Sequence, residues 1–566
     1  MMPTELLSPG IFQMLAAVLV PLIAAGLWRN IYLLAIPIVS FWWTIGLTPG
    51  DILTAEIFDL SLIVMRVDSL SLVFAYIFEI ATLISIIFAW QIRDAVQQVA
   101  GLVYSGAAIA GVFAGDLITL FVMWELTALA SVFLIWARRT GPSFWAGMRY
   151  LIILIGSGVL LLAGAIIHYQ ATGSIAFNAL GVGTLGTNLI LLAFAVKCAF
   201  PLLHNWVQDS YGQATVTGTV FLSAFTTKLA IYALARGFPG TDMLIWIGAT
   251  MAAFPVLFAI IESDFRRVLA YGLNTQLGFM VVGVGIGTEL SLNGTAAHAF
   301  TGVLYLALLF MSMGAVLFRT DTINGSELGG LYKSMPWSAG FCIIGALSIS
   351  AFPLTGGFVS KSLIISAAAG EGHWIVWAVL LLASAGVFIH SGLKVPFFTF
   401  FAQDSGKRLE EAPVNMLIAM AITAALCLGI GIFPEYLYSI LPNQVDYIPY
   451  TTAHVITQLQ LLAFSALAFA VLVSKRIFPT PLKSVNLDTD WVYRHLLPRI
   501  CGASIALISA AYYATARMAG IRAERAIRMS FHLTGPHSTL ARTWEIGSSA
   551  LWVMVLLAIC LVLYYI

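Results

Sequence analysis

Apolar runs of about 20 residues, each long enough to cross ~30 Å of hydrocarbon as a helix, recur along nearly the whole chain. Lipid offers no partner to free backbone N–H and C=O groups, so such a chain folds as helices that satisfy their own backbones. With 60% hydrophobic and 9% charged residues, and a mean hydropathy of +0.96, the composition excludes an ordinary soluble domain. The pattern predicts an all-α polytopic membrane protein. Helices are expected near 11–27, 30–48, 70–91, 98–113, 116–137, 149–169, 186–204, 213–236, 243–262, 267–287, 295–318, 337–371 and 373–403 (both interrupted), 413–434, 453–474, 499–517 and 545–565.

Charged residues stand inside several of these runs. Glu125 lies in DLITLFVMWELTALASVFLIWA, Lys197 in LILLAFAVKCAFPLL and Lys228 in TVFLSAFTTKLAIYAL. An ionisable group at membrane depth costs on the order of 3 kcal/mol or more unless paired or hydrated, so such groups mark ion or proton pathways. One carboxylate and two amines suggest a proton relay. Lys197 precedes Pro201 in VKCAFPLLHNW, and Lys394 precedes Pro396 in HSGLKVPFFTFF. Proline removes a helix donor and frees carbonyls, so both stretches are expected to be broken helices and to mark two internal repeats.

Loops after the first, third, fifth, ninth and eleventh helices carry Arg29, Arg93, Arg138, Arg139, Arg149, Arg266, Arg267, Arg319 and Lys333, whereas the short loops opposite carry Arg66 and Arg236. The positive-inside rule makes the first set cytoplasmic, which places the N-terminus outside the cell's inner (plasma) membrane. Met1 to Gly10 is short and polar, so no cleavable signal peptide is expected. Cys198, Cys342, Cys427, Cys501 and Cys560 lack metal-ligand spacing and read as small hydrophobes. GVGTLG at Gly181–Gly186 has no preceding strand and reads as a loop, not a nucleotide site. No metal, cofactor or nucleic acid is expected. Nor is P-loop or triad chemistry.

The chain divides into 1–97, three N-terminal helices with a polar loop around Asp51 to Asp59; 98–240 and 241–405, two repeats; 406–480, further core helices; and 481–566, a C-terminal extension. In the extension, PTPLKSVNLDTDWVYRHLLPRI is polar and aromatic, and RMAGIRAERAIRMSFHL reads as a basic amphipathic helix before a closing span. The arm from Lys483 onward is a membrane anchor or a docking arm for a partner.

MWELTALASVFLI around Glu125, Ala195 to Leu234, SDFRRVLAYGLNTQLGFM from Ser263, LGGLYKSMP, GALSISAFPLTGGFVSK and HSGLKVPFFTFF together resemble the antiporter-like subunits of respiratory complex I and of Mrp-type cation/proton antiporters, above all the D-type subunit of the latter. The resemblance spans roughly residues 60–435. It implies about 14 core transmembrane helices with two inverted five-helix repeats, each with one broken helix, and a charged, hydrated axis in the membrane plane. It also implies Glu125 as the intramembrane glutamate, Lys197 as its partner, Lys228 as the next relay lysine and Lys394 beside the second half-channel. His298 is implied as a relay histidine. In many relatives the His298 helix reads His-x3-His-x3-Lys; here Gly302 and Leu306 fill the later positions. Thr301 and Tyr305 could bridge that gap, or the axis is interrupted there.

Lysine beside a carboxylate makes a two-state switch. At about 4 Å and an effective dielectric near 20 the attraction is on the order of 4 kcal/mol, enough to hold a proton that the amine releases when the carboxylate withdraws. Arginine would stay charged throughout. A secondary set completes the candidates. His204 and Asp209 follow Pro201 as a proton entrance or a hydrated turn. Asp264 with Arg267 is a gating pair or ordinary interfacial charge, and Lys361 caps a broken helix or feeds a channel. His390 stands one turn before Lys394 and should share its cavity.

The expected function is exchange of protons for a monovalent cation, with Na⁺ favoured, by a chain that is not an enzyme and works in the bilayer with other antiporter subunits or as a homo-oligomer. The alternative is a proton-conducting energy-coupling subunit of a redox or bicarbonate-uptake membrane complex, without exchange activity of its own. A scaffold that has lost transport is the third reading.

Overall fold

The computed structural model describes residues 7–57, 60–475, 477–478, 488–489, 491–538, 540–541 and 543–565. They form two units, Met1–Asn486 and Leu487–Ile566. Among the described residues, 13 helices are long and apolar enough to cross a membrane.

The first unit opens with helices α1 (Pro9–Val18) and α2 (Leu27–Ile45). The stretch expected as a polar loop is instead an antiparallel hairpin, β1 (Ile52–Ile57) with β2 (Leu60–Arg66). Alternating β-branched and apolar residues in ILTAEI and LSLIVMR fit a pleated pair. The hairpin is tied to the bundle where Asp116 accepts from the Ile63 N–H at 2.7 Å. Then come α3 (Ser69–Phe88), α4 (Ala95–Phe113), α5 (Leu117–Trp136) and α6 (Gly141–Thr172). Asp68, Asp94, Asp116 and Thr140 cap their N-termini, each side chain accepting from backbone N–H groups that a helix start leaves unpaired.

The expected helix over 186–204 is broken. Helix α7 (Leu185–Lys197) ends at the candidate lysine, and α8 (Asn205–Gln213) resumes beyond the turn. Helices α9 (Val216–Ala224) and α10 (Thr226–Gly237) follow, interrupted at Phe225. Next stand α11 (Asp242–Ile261), α12 (Phe265–Ile286) and α13 (Glu289–Thr320). The second break lies between α14 (Pro336–Ile349) and α15 (Gly356–Gly370). It falls inside the stretch 337–371 that was expected to be interrupted, whereas the interruption expected at Pro396 is not found. There, α16 (Trp374–Val387) runs on through wide π turns, Phe388–Lys394 and Phe397–Phe401, which absorb the proline without interrupting the span.

Both true breaks read Ala-Phe-Pro-Leu and share one backbone. Ala199 and Leu202 have φ 59° and 71°; Ala351 and Leu354 have φ 57° and 69°. Phe200 N–H reaches Ala195 O at 3.1 Å, and Phe352 N–H reaches Leu347 O at 3.0 Å. The cap residues match too, because Asp116 bridges to Ala176 and Asp264 to Asn324.

The first unit closes with α17 (Val414–Ile432), α18 (Pro434–Tyr438) and α19 (Thr452–Ser474). In the second unit, the expected short span and separate amphipathic helix are one helix, α20 (Leu497–Thr534), of 38 residues. It is followed by α21 (Ile546–Tyr565). No strong helix breaker separates its apolar first half from its basic second half. Lys483 and most of the polar stretch before α20 lie outside the described residues.

Helices α11 and α12 touch backbone to backbone through glycine. A Cβ on Gly278 would lie 2.3 Å from the Ala252 nitrogen, and one on Gly248 would lie 2.5 Å from the Val282 nitrogen. Such contact brings the axial helices together as small residues do in membranes. Gly278→Val is expected to force the pair apart at a cost of about 1–3 kcal/mol, lowering the thermal midpoint of the detergent-solubilised chain. An unchanged midpoint would show that the helices are not so close.

Candidate functional site

Lys197 is the last residue of α7, and the break after it turns the amine into the bundle. It is fully buried. Its Nζ donates to the Trp124 carbonyl and, at 2.9 Å, to Thr127 Oγ1, and lies 4.3 Å from the centre of the Trp124 ring. Trp124 is fixed in turn: its indole N–H donates to Ser157 Oγ at 2.9 Å, and Ser157 donates to the Ala193 carbonyl at 2.7 Å. These bonds lace α5, α6 and α7 around the amine.

Glu125 is half-buried on the same turn of α5. Among the described residues no lysine or arginine nitrogen lies within 4.0 Å of it, and its Oε1 is enclosed without a hydrogen-bond partner. The carboxylate rests in a notch that α6 opens at Gly158, where a Cβ would lie 1.4 Å from Oε1. The structure thus holds the pair disengaged, with the lysine solvated by Trp124 and Thr127.

Lys228 is buried near the start of α10 and donates to the Ser223 carbonyl at 2.6 Å, an oxygen at the end of α9 just before the interruption at Phe225. His298, on α13, is fully buried between two polar partners: Nε2 stands 3.0 Å from Gln276 Oε1 and Nδ1 3.0 Å from Ser360 Oγ. The Tyr305 hydroxyl lies 3.3 Å from Nε2, and Thr301 Oγ1 lies 2.7 Å from Ser360 Oγ. Gly302 leaves room for that phenol, since a Cβ there would meet Tyr305 Oη at 3.3 Å. Gln276, Ser360, Thr301 and Tyr305 thus form a polar surround for His298 beside Gly302.

Lys361 follows Ser360 on α15. Its amine donates to the Ile349 carbonyl at 3.1 Å, closing the end of α14, and sits 4.9 Å from the centre of the Phe279 ring. Of the two roles weighed for it from sequence, capping a broken helix or feeding a channel, the bond to Ile349 O is the cap. Lys394 stands elsewhere. It caps α11, donating to the carbonyls of Ala259, Ile260 and Glu262 at 3.1, 2.7 and 2.5 Å. His390 is buried with Nδ1 2.8 Å from Ser391 Oγ, and its Cε1 approaches the site of a Gly272 Cβ at 3.4 Å, so it faces α12.

The remaining candidates lie at the margin. Asp209 accepts both arms of Arg149 at 2.7 and 3.1 Å, and the His204 ring packs 4.7 Å from Phe254. Asp264 caps α12, accepting from the Arg266 and Arg267 N–H groups at 2.8 and 3.2 Å. Burial raises its carboxyl above the ordinary range against the pull of Arg266. The ion pair of Arg267 is with Glu262 at 3.2 Å, not with Asp264. On the hairpin side, Arg236 pairs with Asp68 at 2.5 Å. Burial would raise the Asp68 carboxyl, but Arg236 and the Ser71 N–H outweigh it and hold it low.

Sequence reading passed over Gly158, Gln276, Ser360 and Glu262. The signal for Gln276 and Ser360 was present: polar residues inside LNTQLGF and GGFVSK, where an apolar helix has no use for them. Gly158 carries no such signal, because its neighbour is Glu125 only in three dimensions.

A bundle of this kind, with two matched breaks and buried amines, defines an all-α membrane protein of the proton-transport class. Residues 114–388 match the family described as NADH:quinone oxidoreductase/Mrp antiporter, TM. The chain is 31% identical over 365 residues to the D-type subunit of the Na(+)/H(+) antiporter of Alkalihalophilus pseudofirmus, covering 59% of this chain and 72% of that relative. It belongs to this family. In structure it is similar to a chain of the Mrp complex from Dietzia sp. DQ12-45-1b, with a TM-score of 0.68 at 20% identity over 82% of this chain and 99% of that one. It is also similar to a chain of the membrane-bound sulfane sulfur reductase, an archaeal respiratory membrane complex, with a TM-score of 0.72 at 19% identity over 99% of this chain and 100% of that one.

Gly158→Ala is expected to expel the Glu125 carboxylate from its notch and to cut proton transport at least about tenfold, a change of ~1.4 kcal/mol in barrier. Gly156, where a Cβ meets nothing within 4 Å, supplies the control. Gly156→Ala should transport normally, and equal rates in the two variants would refute the notch.

Proposed function

We propose that this chain moves protons along the buried row Glu125, Lys197, Lys228, His298 and Lys361, and exchanges them for a monovalent cation. The observation that carries the reading is the disengaged pair: a carboxylate in a glycine notch beside an amine held by a carbonyl and a hydroxyl, each with a second place to go. When Glu125 swings from Gly158 toward Lys197, the amine keeps its proton; when it swings back, desolvation favours release toward Lys228. His298 stands between Gln276 and Ser360 in the middle of the proposed row.

Thr227 Oγ1, both amide atoms of Asn274, Thr275 Oγ1, Gln276 Nε2 and Ser348 Oγ are buried without protein partners in and beside this row. Buried polar atoms of that kind are satisfied by water, and water joins side chains too far apart for direct transfer. Lys394 with Glu262 and Arg267 forms the exit on the side that the positive-inside rule makes cytoplasmic, with His390 behind it. His204 and Asp209 flank the first break as the corresponding entrance. Asp264 holds the start of α12 beside that exit.

Sodium is assigned because the relative above is named as part of a Na(+)/H(+) antiporter. The chain is placed in the plasma membrane with its N-terminus outside, in company with further antiporter subunits. The second reading, an energy-coupling subunit of a redox complex without exchange of its own, uses the same row. It has in its favour that the likeness to the sulfane sulfur reductase chain runs through the C-terminal extension as well.

Purified chain in vesicles under an imposed pH gradient, with Na⁺, K⁺ or Li⁺ added in turn, separates the readings. Dissipation by Na⁺ supports exchange by this chain; silence with every cation supports the coupling role. In either assay Lys197→Arg should preserve charge yet slow proton movement at least about tenfold. Undiminished transport in that variant would overturn the relay.

A further inference from the structure

A second carboxyl group lies deep in the protein, away from the row. Glu79 is the eleventh residue of α3, in the apolar run LSLVFAYIFEIATLISIIF, and is 1% exposed. Four helices converge on it. Gln13 of α1 donates from Nε2 to Glu79 Oε2 at 2.6 Å, Ser40 of α2 lies 2.6 Å from Oε1, and Thr44 of α2 lies 3.4 Å from the same oxygen. Ser105 of α4 donates to Gln13 Oε1 at 3.1 Å. Helices α1 and α4 meet without side chains between them, since a Cβ on Gly10 would fall 2.2 Å from the Gly106 carbonyl. That contact sets Gln13 against Ser105.

Among the described residues, no cation balances this carboxyl, and the titratable groups on the elements packed against α3 are engaged elsewhere. On α10, Lys228 donates to Ser223 O and Arg236 to Asp68. On α13, His298 is held by Gln276 and Ser360, and Arg319 donates to the Glu411 carbonyl. On α2, Arg29 donates to the Arg93 carbonyl and Tyr32 to the Ala16 carbonyl. On α4, Tyr104 bonds Thr226. Helices α1, α9 and α17 carry no charged residue. An aromatic wall also parts Glu79 from the row: Phe78 packs 5.3 Å from Phe225, which packs 5.1 Å from Tyr104.

Counting hydrogens identifies the protonation state that fits. With a proton on Oε1, Glu79 donates to Ser40 Oγ, Ser40 donates to the Pro9 carbonyl at 3.3 Å, and Thr44 donates to the Ser40 carbonyl at 2.9 Å. Gln13 donates to Oε2, and Ser105 to Gln13. Each hydroxyl and carboxyl hydrogen then has one acceptor, and no unpaired charge is buried. Loss of the proton needs one rearrangement. The Ser40 hydroxyl turns from Pro9 O to Oε1, and the carboxylate keeps two donors, Ser40 and Gln13.

We propose that Glu79 is a second proton-binding site of this chain, a carboxylic acid between α1, α2, α3 and α4 that takes up and releases one proton as Ser40 reverses its hydrogen bond. It is separate from the row that begins at Glu125 and stands whether or not that row conducts.

Infrared spectra of the full-length chain in lipid, titrated between about pH 5 and 10, the span over which buried carboxyls are known to titrate, read this acid directly. Glu79→Gln should remove one carboxylic-acid C=O band that titrates in the unmodified chain, and Glu125→Gln should leave that band in place. Ser40→Ala, which retains the acid but removes its partner, should shift the midpoint of the same band. Three results would each overturn the proposal. They are no acid band lost in Glu79→Gln, a lost band that never changes with pH in the unmodified chain, and a midpoint indifferent to Ser40.

Discussion

Taking a charge out of water without a partner costs more than any other single event in this fold. Every unusual feature of the bundle answers that cost. The breaks at Ala-Phe-Pro-Leu free carbonyls and turn helix ends inward, so Lys197 finds Trp124 O and Thr127, and Lys361 finds Ile349 O. The interruption at Phe225 supplies Ser223 O to Lys228 in the same way. Amines at membrane depth are held by backbone oxygens rather than by fixed counter-charges. That choice keeps them movable: a carbonyl accepts from a charged or a neutral amine, whereas a permanent ion pair would freeze one state.

Packing and chemistry meet at glycine. Gly248 and Gly278 let α11 and α12 touch, and Gly158 accepts the Glu125 carboxylate. The first two set the spacing of α11 and α12. The third gives the Glu125 carboxylate its notch. Around His298 the neighbours are neutral: Tyr305, Thr301, Ser360 and Gln276 surround the imidazole without adding charge.

Much of this was legible in the sequence. Spans were readable because apolar length is fixed by bilayer thickness, and Glu125, Lys197, Lys228 and His298 stood out because an ionisable residue in such a span needs a reason. Glu79 gave the same signal and was passed over for want of a basic companion, which its hydroxyl and amide partners replace. An interruption within 337–371 was expected, but the Pro396 stretch was paired with the first break because a proline was weighed without its context; Ala-Phe-Pro-Leu occurs twice, and repetition was the better guide. A short hairpin in place of the loop at Asp51, and one 38-residue helix in place of two, escaped because neither turn nor continuity is set by hydropathy. The notch at Gly158 and the capping of α11 by Lys394 depend on neighbours distant in sequence. No local pattern reveals them.

The proposed row depends on His298, whose imidazole is bonded to Gln276 on one side and Ser360 on the other. Proton flux into vesicles holding the full-length chain, with and without His298→Leu, tests it most directly. Flux is expected to fall at least about tenfold in the variant while its thermal midpoint stays near that of the unmodified chain. Equal flux in the two would contradict a path through the centre of the bundle.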